Sequence, residues 1–127
     1  MEKDLENKFR IAVKRAGGKA YKFVSPGNSG VPDRLVILPG GKAGFVELKQ
    51  EGKKPTGLQR KQIHDLLGKG HYANVLDRES DIQKVIDQIK HFRPEQANMY
   101  ATSLEKRFWP KERRWEKEGD ADEIPTA

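Results

Sequence analysis

Residues 33–38 and 43–49 are two short apolar runs joined by Pro39-Gly40-Gly41-Lys42, and this stretch, DRLVILPGGKAGFVELK, constrains the chain more than any other. Two adjacent glycines accept the positive φ angles that a tight hairpin turn demands. With a tight turn, facing positions sum to 80. That sets Val36 against Gly44 and Asp33 against Glu47. Side chains alternate along a strand, so Glu47 and Lys49 share one face and Leu48 takes the other. A hairpin that only had to fold would need none of these three charges.

The rest of the chain supplies partners for the hairpin. Residues 2–16 form an amphipathic helix, with Leu5, Phe9, Ala12, Val13 and Ala16 on one stripe and Gly17-Gly18 ending it. Residues 19–24 alternate as a strand, with Ala20 outside the pattern, and SPGNSG is a loop. After a second polar loop, EGKKPTG, a helix runs over 57–69 with Leu58, Ile63, Leu66 and Leu67 on its apolar face. His71–Leu76 is a strand. A third helix follows, capped by Ser80 with Gln83 three residues on, and Ile82, Val85, Ile86 and Ile89 face inward. The order α-β-β-β-α-β-α predicts an α/β fold with a mixed sheet flanked by helices. Pro94 closes this first part. Residues 95–118 contain a further helix with Met99, Tyr100, Leu104 and Phe108, interrupted at Pro110. The basic aromatic stretch RFWPKERRW and an acidic tail follow.

Charge divides along the same line. Residues 1–90 hold 18 Lys/Arg against 11 Asp/Glu, whereas residues 91–127 hold 7 against 8. A basic globular part suits a polyanionic partner, because clustered cations displace the counterions of phosphates. The absence of cysteine excludes disulfides, thiolate nucleophiles and Cys-based zinc sites. The three histidines have no metal-binding spacing. No apolar run reaches the length of a membrane span, and the charged N-terminus is unlike a signal peptide. These features predict a soluble, intracellular protein.

Two carboxylates facing each other repel, and a divalent cation between them would remove that cost. Hard oxygen donors suit Mg²⁺ or Mn²⁺, which commonly bridge one or two carboxylates and a substrate phosphate. Such a metal lowers the pKa of bound water and offsets phosphoryl charge, and Lys49 on the same face could orient that water or stabilise developing negative charge. The assembly describes metal-assisted phosphodiester hydrolysis.

Pro32-Asp33 followed by Glu47-Leu48-Lys49 resembles the PD-(D/E)XK signature, and the whole stretch SPGNSGVPDRLVILPGGKAGFVELKQEGKKPTGLQ resembles a VRR-NUC domain, the virus-type replication-repair nuclease branch of that superfamily. The resemblance covers residues 1–91 and leaves residues 92–127 as a C-terminal extension. It implies a restriction-endonuclease-like core in the order αβββαβ. Compact stand-alone relatives are typical of phages and prophages, which implies action in the cytoplasm of a host cell.

The resemblance also implies site residues. Asp33, Glu47, the Leu48 position and a glutamate of the first helix would hold the metal, with Lys49 catalytic. Glu6 is taken as that glutamate. Glu2 competes with it, because it lies nearer the centre of the apolar stripe. Gln59 matches a glutamine that follows the second polar loop in the family. Thr56 and Gln59 also have the spacing of a capping box, and the two roles are compatible. Ser25 and Gly30 lie in the loop before Asp33, where a phosphate could approach. Arg34, Lys53, Lys54, Arg60 and Lys61, with Lys22 and Lys42 beside them, would hold flanking phosphates without reading sequence.

Two readings of function follow. One is a Mg²⁺- or Mn²⁺-dependent endonuclease acting on branched DNA such as Holliday junctions, as a homodimer because a symmetric junction needs two active sites. The other is a non-catalytic nucleic-acid-binding module on the same fold, within a phage replication or packaging complex. A restriction-type enzyme cutting one duplex sequence is a third, for which the chain is short. In the extension, Tyr100, Phe108, Trp109 and Trp115 suit packing on the core or on a partner subunit, and Arg107, Lys111, Arg113 and Arg114 offer the alternative of gripping DNA.

Overall fold

The computed structural model describes residues 2–113, with side chains over residues 3–111. The side chains of Glu2 and Arg113, and all of Arg114, Trp115 and the acidic tail, lie outside the described residues. The elements run α1 (Glu2–Arg15), β1 (Lys19–Lys22), β2 (Arg34–Leu38), β3 (Lys42–Leu48), α2 (Gly57–Gly68), β4 (Ala73–Leu76), α3 (Ile82–His91) and α4 (Ala97–Phe108). Short 3-10 turns occupy Glu79–Asp81, Pro94–Gln96 and Pro110–Arg113. The strands form one mixed sheet in the order β1-β2-β3-β4. β1, β2 and β3 are antiparallel neighbours, and β4 runs parallel to β3. The predicted α/β class and the αβββαβ order are both present.

The hairpin register is the one its turn dictates. Arg34 faces Val46, Val36 faces Gly44 and Leu38 faces Lys42, with Gly40 and Gly41 at φ +83° and +76° in the turn. Gly44 makes room in mid-strand, because a Cβ there would stand 2.7 Å from the Tyr72 ring and 3.0 Å from Ile89.

Helices cover both faces of the sheet. On one face Leu5, Phe9 and Val13 of α1 and Ile82, Val85, Ile86 and Ile89 of α3 pack on Val36, Leu38, Val46 and Leu48. On the other, Ile63 and Leu67 of α2 and Ala97, Leu104 and Trp109 of the α4 region pack around Ala73, Val75 and Phe45. Burial of these apolar groups is the main stabilising term, at about 25 cal/mol per Å² removed from water.

Three local expectations are corrected. Ala20 belongs to the strand pattern: it is the inward residue of β1, facing Val36, whereas Tyr21 is exposed. Leu58 is 56% exposed and not on the core face of α2. It sits in the first turn, where α2 meets the loop before β2 and not the sheet. Ser80 and Gln83 do not cap α3. A 3-10 turn precedes the helix and supplies backbone bonds, Asp81 N–H to the Arg78 carbonyl and Ile82 N–H to that of Glu79. The Gln83 amide donates to Asp87 at 3.1 Å instead. Among the described residues, no helix is long and apolar enough to cross a membrane.

Candidate active site

The site begins where the β2–β3 ladder stops. Phe45 and Lys49 send their backbone N–H groups to Tyr72 and Leu76, at 2.9 and 3.0 Å. The odd residues of β3 therefore bond toward β4 and the even ones toward β2. The register continues from the Arg34–Val46 pair, so Leu48 would next exchange bonds with residue 32. Residue 32 is a buried proline, which has no N–H to give. The side chain of Asp33 takes over on one side, its Oδ2 accepting the Leu48 N–H at 2.9 Å. The Leu48 carbonyl receives no ladder bond from Pro32. A carboxylate, a proline and a carbonyl oxygen are thus brought together by the way the ladder ends.

Glu47 is the register neighbour of Asp33, one step beyond the last ladder pair. It is 2% exposed, among the most buried side chains of the molecule. Lys49 lies on the same face by strand alternation, with its Nζ 3.9 Å from Glu47 Oε2. The observed register runs up to the Arg34–Val46 pair as the turn predicts; Asp33 lies just outside the ladder, with its carboxylate turned onto the Leu48 N–H.

Glu6 sits on α1 and binds Arg34, with Oε2 to Nη2 at 2.8 Å. Arg34 also donates to the Ala20 carbonyl at 3.2 Å. Glu6 and Arg34 are thus engaged with each other on the α1 face of the sheet, the side on which Val36 and Leu48 pack; Glu6 is not gathered with Asp33 and Glu47 into one acidic group, and Arg34 is not a loose surface cation. Among the described residues, no three acidic, histidine or cysteine side chains gather into a metal-holding group. The donor set at the strand ends is two carboxylates and one backbone carbonyl, all hard oxygens. That number suits a Mg²⁺-type ion, which keeps several waters and takes substrate phosphate as a further ligand.

The loop before Asp33 is packed against the start of α2. Gly30 has φ +87°, and a Cβ there would lie 2.6 Å from the Leu58 carbonyl carbon. The Gln62 amide donates to the Ser29 carbonyl at 3.3 Å. Ser25 is occupied within the loop, accepting from the Asn28 amide at 2.9 Å. Gln59 completes the capping box: its Oε1 accepts the Thr56 N–H at 2.9 Å, and its own N–H donates to the Thr56 hydroxyl at 3.2 Å. Lys53, Lys54 and Lys61 are exposed near this edge. Arg60 is bound inward, forking onto the Glu105 carboxylate with Nε at 2.8 Å and lying 4.5 Å over the Trp109 ring.

Several residues of this region carried no individual signal in the sequence. Asp77 directly follows β4, is 4% exposed and accepts from Arg107 of α4. Glu105 accepts from Arg60 and lies 2.7 Å from His64 Nε2. Burial pushes the Glu105 carboxyl up, but hydrogen bonds and positive charge from Arg60 and His64 outweigh it and hold it below its ordinary value. An acid placed just after a buried strand, level with Glu47-Leu48-Lys49, was the available clue to Asp77. Its partner could not be read without knowing where α4 lies.

A relative from Acyrthosiphon pisum secondary endosymbiont phage 1, named "Putative nuclease p44", is 46% identical over 88 residues, which cover 69% of this chain and 94% of the relative. A solved structure described as a VRR_NUC domain superposes with a TM-score of 0.64 and 31% identity, covering 68% of this chain and 94% of that one. No protein-family model matches the chain.

Proposed function

The chain belongs to the VRR-NUC family, and from that premise we propose that it is a divalent-metal-dependent endonuclease that hydrolyses phosphodiester bonds in branched DNA. The observation that carries this reading is the end of the β2–β3 ladder. There Pro32 breaks the pairing, Asp33 takes the Leu48 N–H, and Glu47 and Lys49 stand beside them. Strand ends built only for stability would not place two carboxylates on neighbouring strands, because like charges there are destabilising.

Asp33, Glu47 and the Leu48 carbonyl would hold Mg²⁺ or Mn²⁺, with Glu6 in a supporting part through Arg34. The ion when bound would supply a more acidic water and charge compensation on the phosphoryl group. The chain's own groups do the rest. Hydrolysis forms one bond from water oxygen to phosphorus and breaks one ester bond, leaving a phosphate end and a hydroxyl end. The Lys49 ammonium can donate to the attacking water or to a phosphate oxygen as negative charge grows there. The Leu48–Asp33 bond keeps one carboxylate oxygen fixed, so little reorganisation is left for the reaction itself. Lys53, Lys54 and Lys61 hold the backbone on either side without reading bases. Two copies acting together would serve a symmetric four-way junction.

The test is a panel of four-way, flap, nicked and linear DNAs with Mg²⁺ or Mn²⁺. Cleavage near the branch that EDTA stops and that Glu47→Ala abolishes is the expected result. Tight binding with no cleavage on any substrate in Mn²⁺ would favour the binding-module reading. Cleavage that survives Glu47→Ala would overturn the assignment of the site. Sedimentation of the protein alone and with a junction reads whether two copies assemble.

A further inference from the structure

Asp77 is a buried carboxylate at the border of the candidate site. The β3–β4 register runs from Phe45–Ala73 to Leu48–Leu76, so Asp77 is the next position and stands beside Lys49. Lys49 N–H donates to the Leu76 carbonyl at 3.0 Å, which ties the two strand ends together. Lys49 and Asp77 also line one cleft of about 230 Å³, shared with Asp4, Leu5 and Lys8 of α1. A carboxylate this buried is costly unless cations satisfy it. Two do: Arg107 of α4 binds Oδ1, and Arg78 Nε lies 3.6 Å from the same oxygen. The Arg107 guanidinium also lies 4.7 Å over the Phe108 ring, which fixes its direction.

α4 carries a second ionic anchor two residues earlier, where Glu105 holds Arg60 and His64 of α2. One helix therefore presents opposite charges to two neighbours, α2 on one side and the end of β4 on the other. A helix that only covered Ala73 and Val75 would need neither anchor, and each requires the desolvation of charge. Apolar residues in their place would cover the sheet as well.

We infer that Arg107 is a positioning residue of the site: through Asp77 it holds the Lys49 end of the β3–β4 pair in line with Glu47. This inference rests on the nuclease reading above. Arg107 does not meet the substrate; it acts through Asp77 and the strand end that Asp77 terminates.

The experiment uses the full chain as wild type, Arg107→Lys, Arg107→Met and the double variant Asp77→Asn/Arg107→Met. The double variant removes both charges and so avoids leaving a buried carboxylate uncompensated, which keeps the question open to measurement if Arg107→Met alone fails to fold. Two readouts are taken: cleavage of a junction in Mn²⁺, resolved into kcat and KM, and amide hydrogen exchange at Lys49 against Val46. The expected result for the double variant is a fall in kcat of about tenfold or more with KM for DNA nearly unchanged. The Lys49 amide should exchange faster while Val46 stays protected, and Arg107→Lys should recover part of both. Unchanged protection at Lys49, or wild-type kcat in the double variant, overturns the inference. A wild-type protein that cuts no DNA overturns the nuclease reading instead, and the exchange measurement still decides whether Arg107 holds the strand end.

Discussion

The Asp33 carboxylate accepts the backbone N–H of Leu48 at 2.9 Å, in the place where Pro32 cannot continue the ladder. One side chain is therefore asked to do two things, to satisfy a buried donor and to carry charge at the proposed site. The two are separable. Asparagine keeps an oxygen that can accept the Leu48 N–H but loses the charge, whereas alanine loses both. Asp33→Asn should unfold in urea close to wild type yet cleave DNA at least about a hundredfold more slowly. Asp33→Ala should lose the same activity and in addition about 1–3 kcal/mol of stability, for a buried donor left without its partner. Equal stability of the two variants would mean that the hydrogen bond carries no structural load.

Gly30 and Gly27 offer a paired test of how the loop is held on α2. Both have positive φ, +87° and +82°, so alanine is strained at either position. They differ in surroundings. At Gly27 an added Cβ meets nothing within 4 Å, whereas at Gly30 it meets the backbone of Leu58 and Gln59 at 2.6–2.9 Å. Gly27→Ala should cost about 1–2 kcal/mol in urea unfolding. Gly30→Ala should cost about twice that, because backbone in a helix turn cannot move aside as a flexible side chain can. It should also slow cleavage, since the loop it displaces leads directly into Asp33.

What could be read in advance and what could not divides by the range of the interactions involved. The hairpin register is local, set by Gly40-Gly41 and strand alternation, and the observed pairs follow it. The inward faces of α1 and α3 follow from 3.6-residue periodicity, and Phe9 and Ile86 are fully buried as that requires. Ala20 and Leu58 depart from the pattern because residue type alone does not tell which side of an element meets the sheet. A small residue can be the inward one, and a leucine in a first helical turn can remain in solvent. Glu6 lay at the edge of the α1 stripe on the helical wheel, and there it meets Arg34, a residue of β2. The ion pairs Asp77–Arg107 and Arg60–Glu105 join residues 30 and 45 positions apart. Nothing local marks such pairs, and they are what converts an arginine expected at the DNA into a structural one.

The cations near the site therefore fall into two kinds that salt can tell apart. Lys53, Lys54 and Lys61 are exposed, and Arg60 is held by Glu105 and Trp109. Replacing the three lysines with alanine should reduce the slope of log affinity against log salt by about one per lysine, with little change in Tm. Arg60→Ala should instead lower stability by about 1–3 kcal/mol, because it removes one of the two partners of the Glu105 carboxylate. An unchanged salt slope in the triple variant would place the DNA path elsewhere on the molecule.

Glu105 makes the docking of α4 sensitive to acid, and the sign follows from its environment. Its folded-state pKa is depressed, the favourable bonds and charges of Arg60 and His64 outweighing the effect of burial. A depressed carboxyl contributes stability that is present above its unfolded-state value, close to 4.5, and that is lost as pH falls through the lower folded-state value. Trp109 packs beside this cluster under the Arg60 guanidinium, so its fluorescence reports the contact. In the wild type, urea stability should be nearly level from neutral pH down to the ordinary carboxylate range and then fall. Glu105→Gln should be less stable at neutral pH, by about 1–3 kcal/mol. The gap between the two proteins should narrow as the solution is acidified below about pH 4.5, because protonation removes from the wild type the charge that the variant already lacks. A gap that stays constant down to pH 3 would show that Glu105 acts through its shape and neutral hydrogen bonds, and not through its charge.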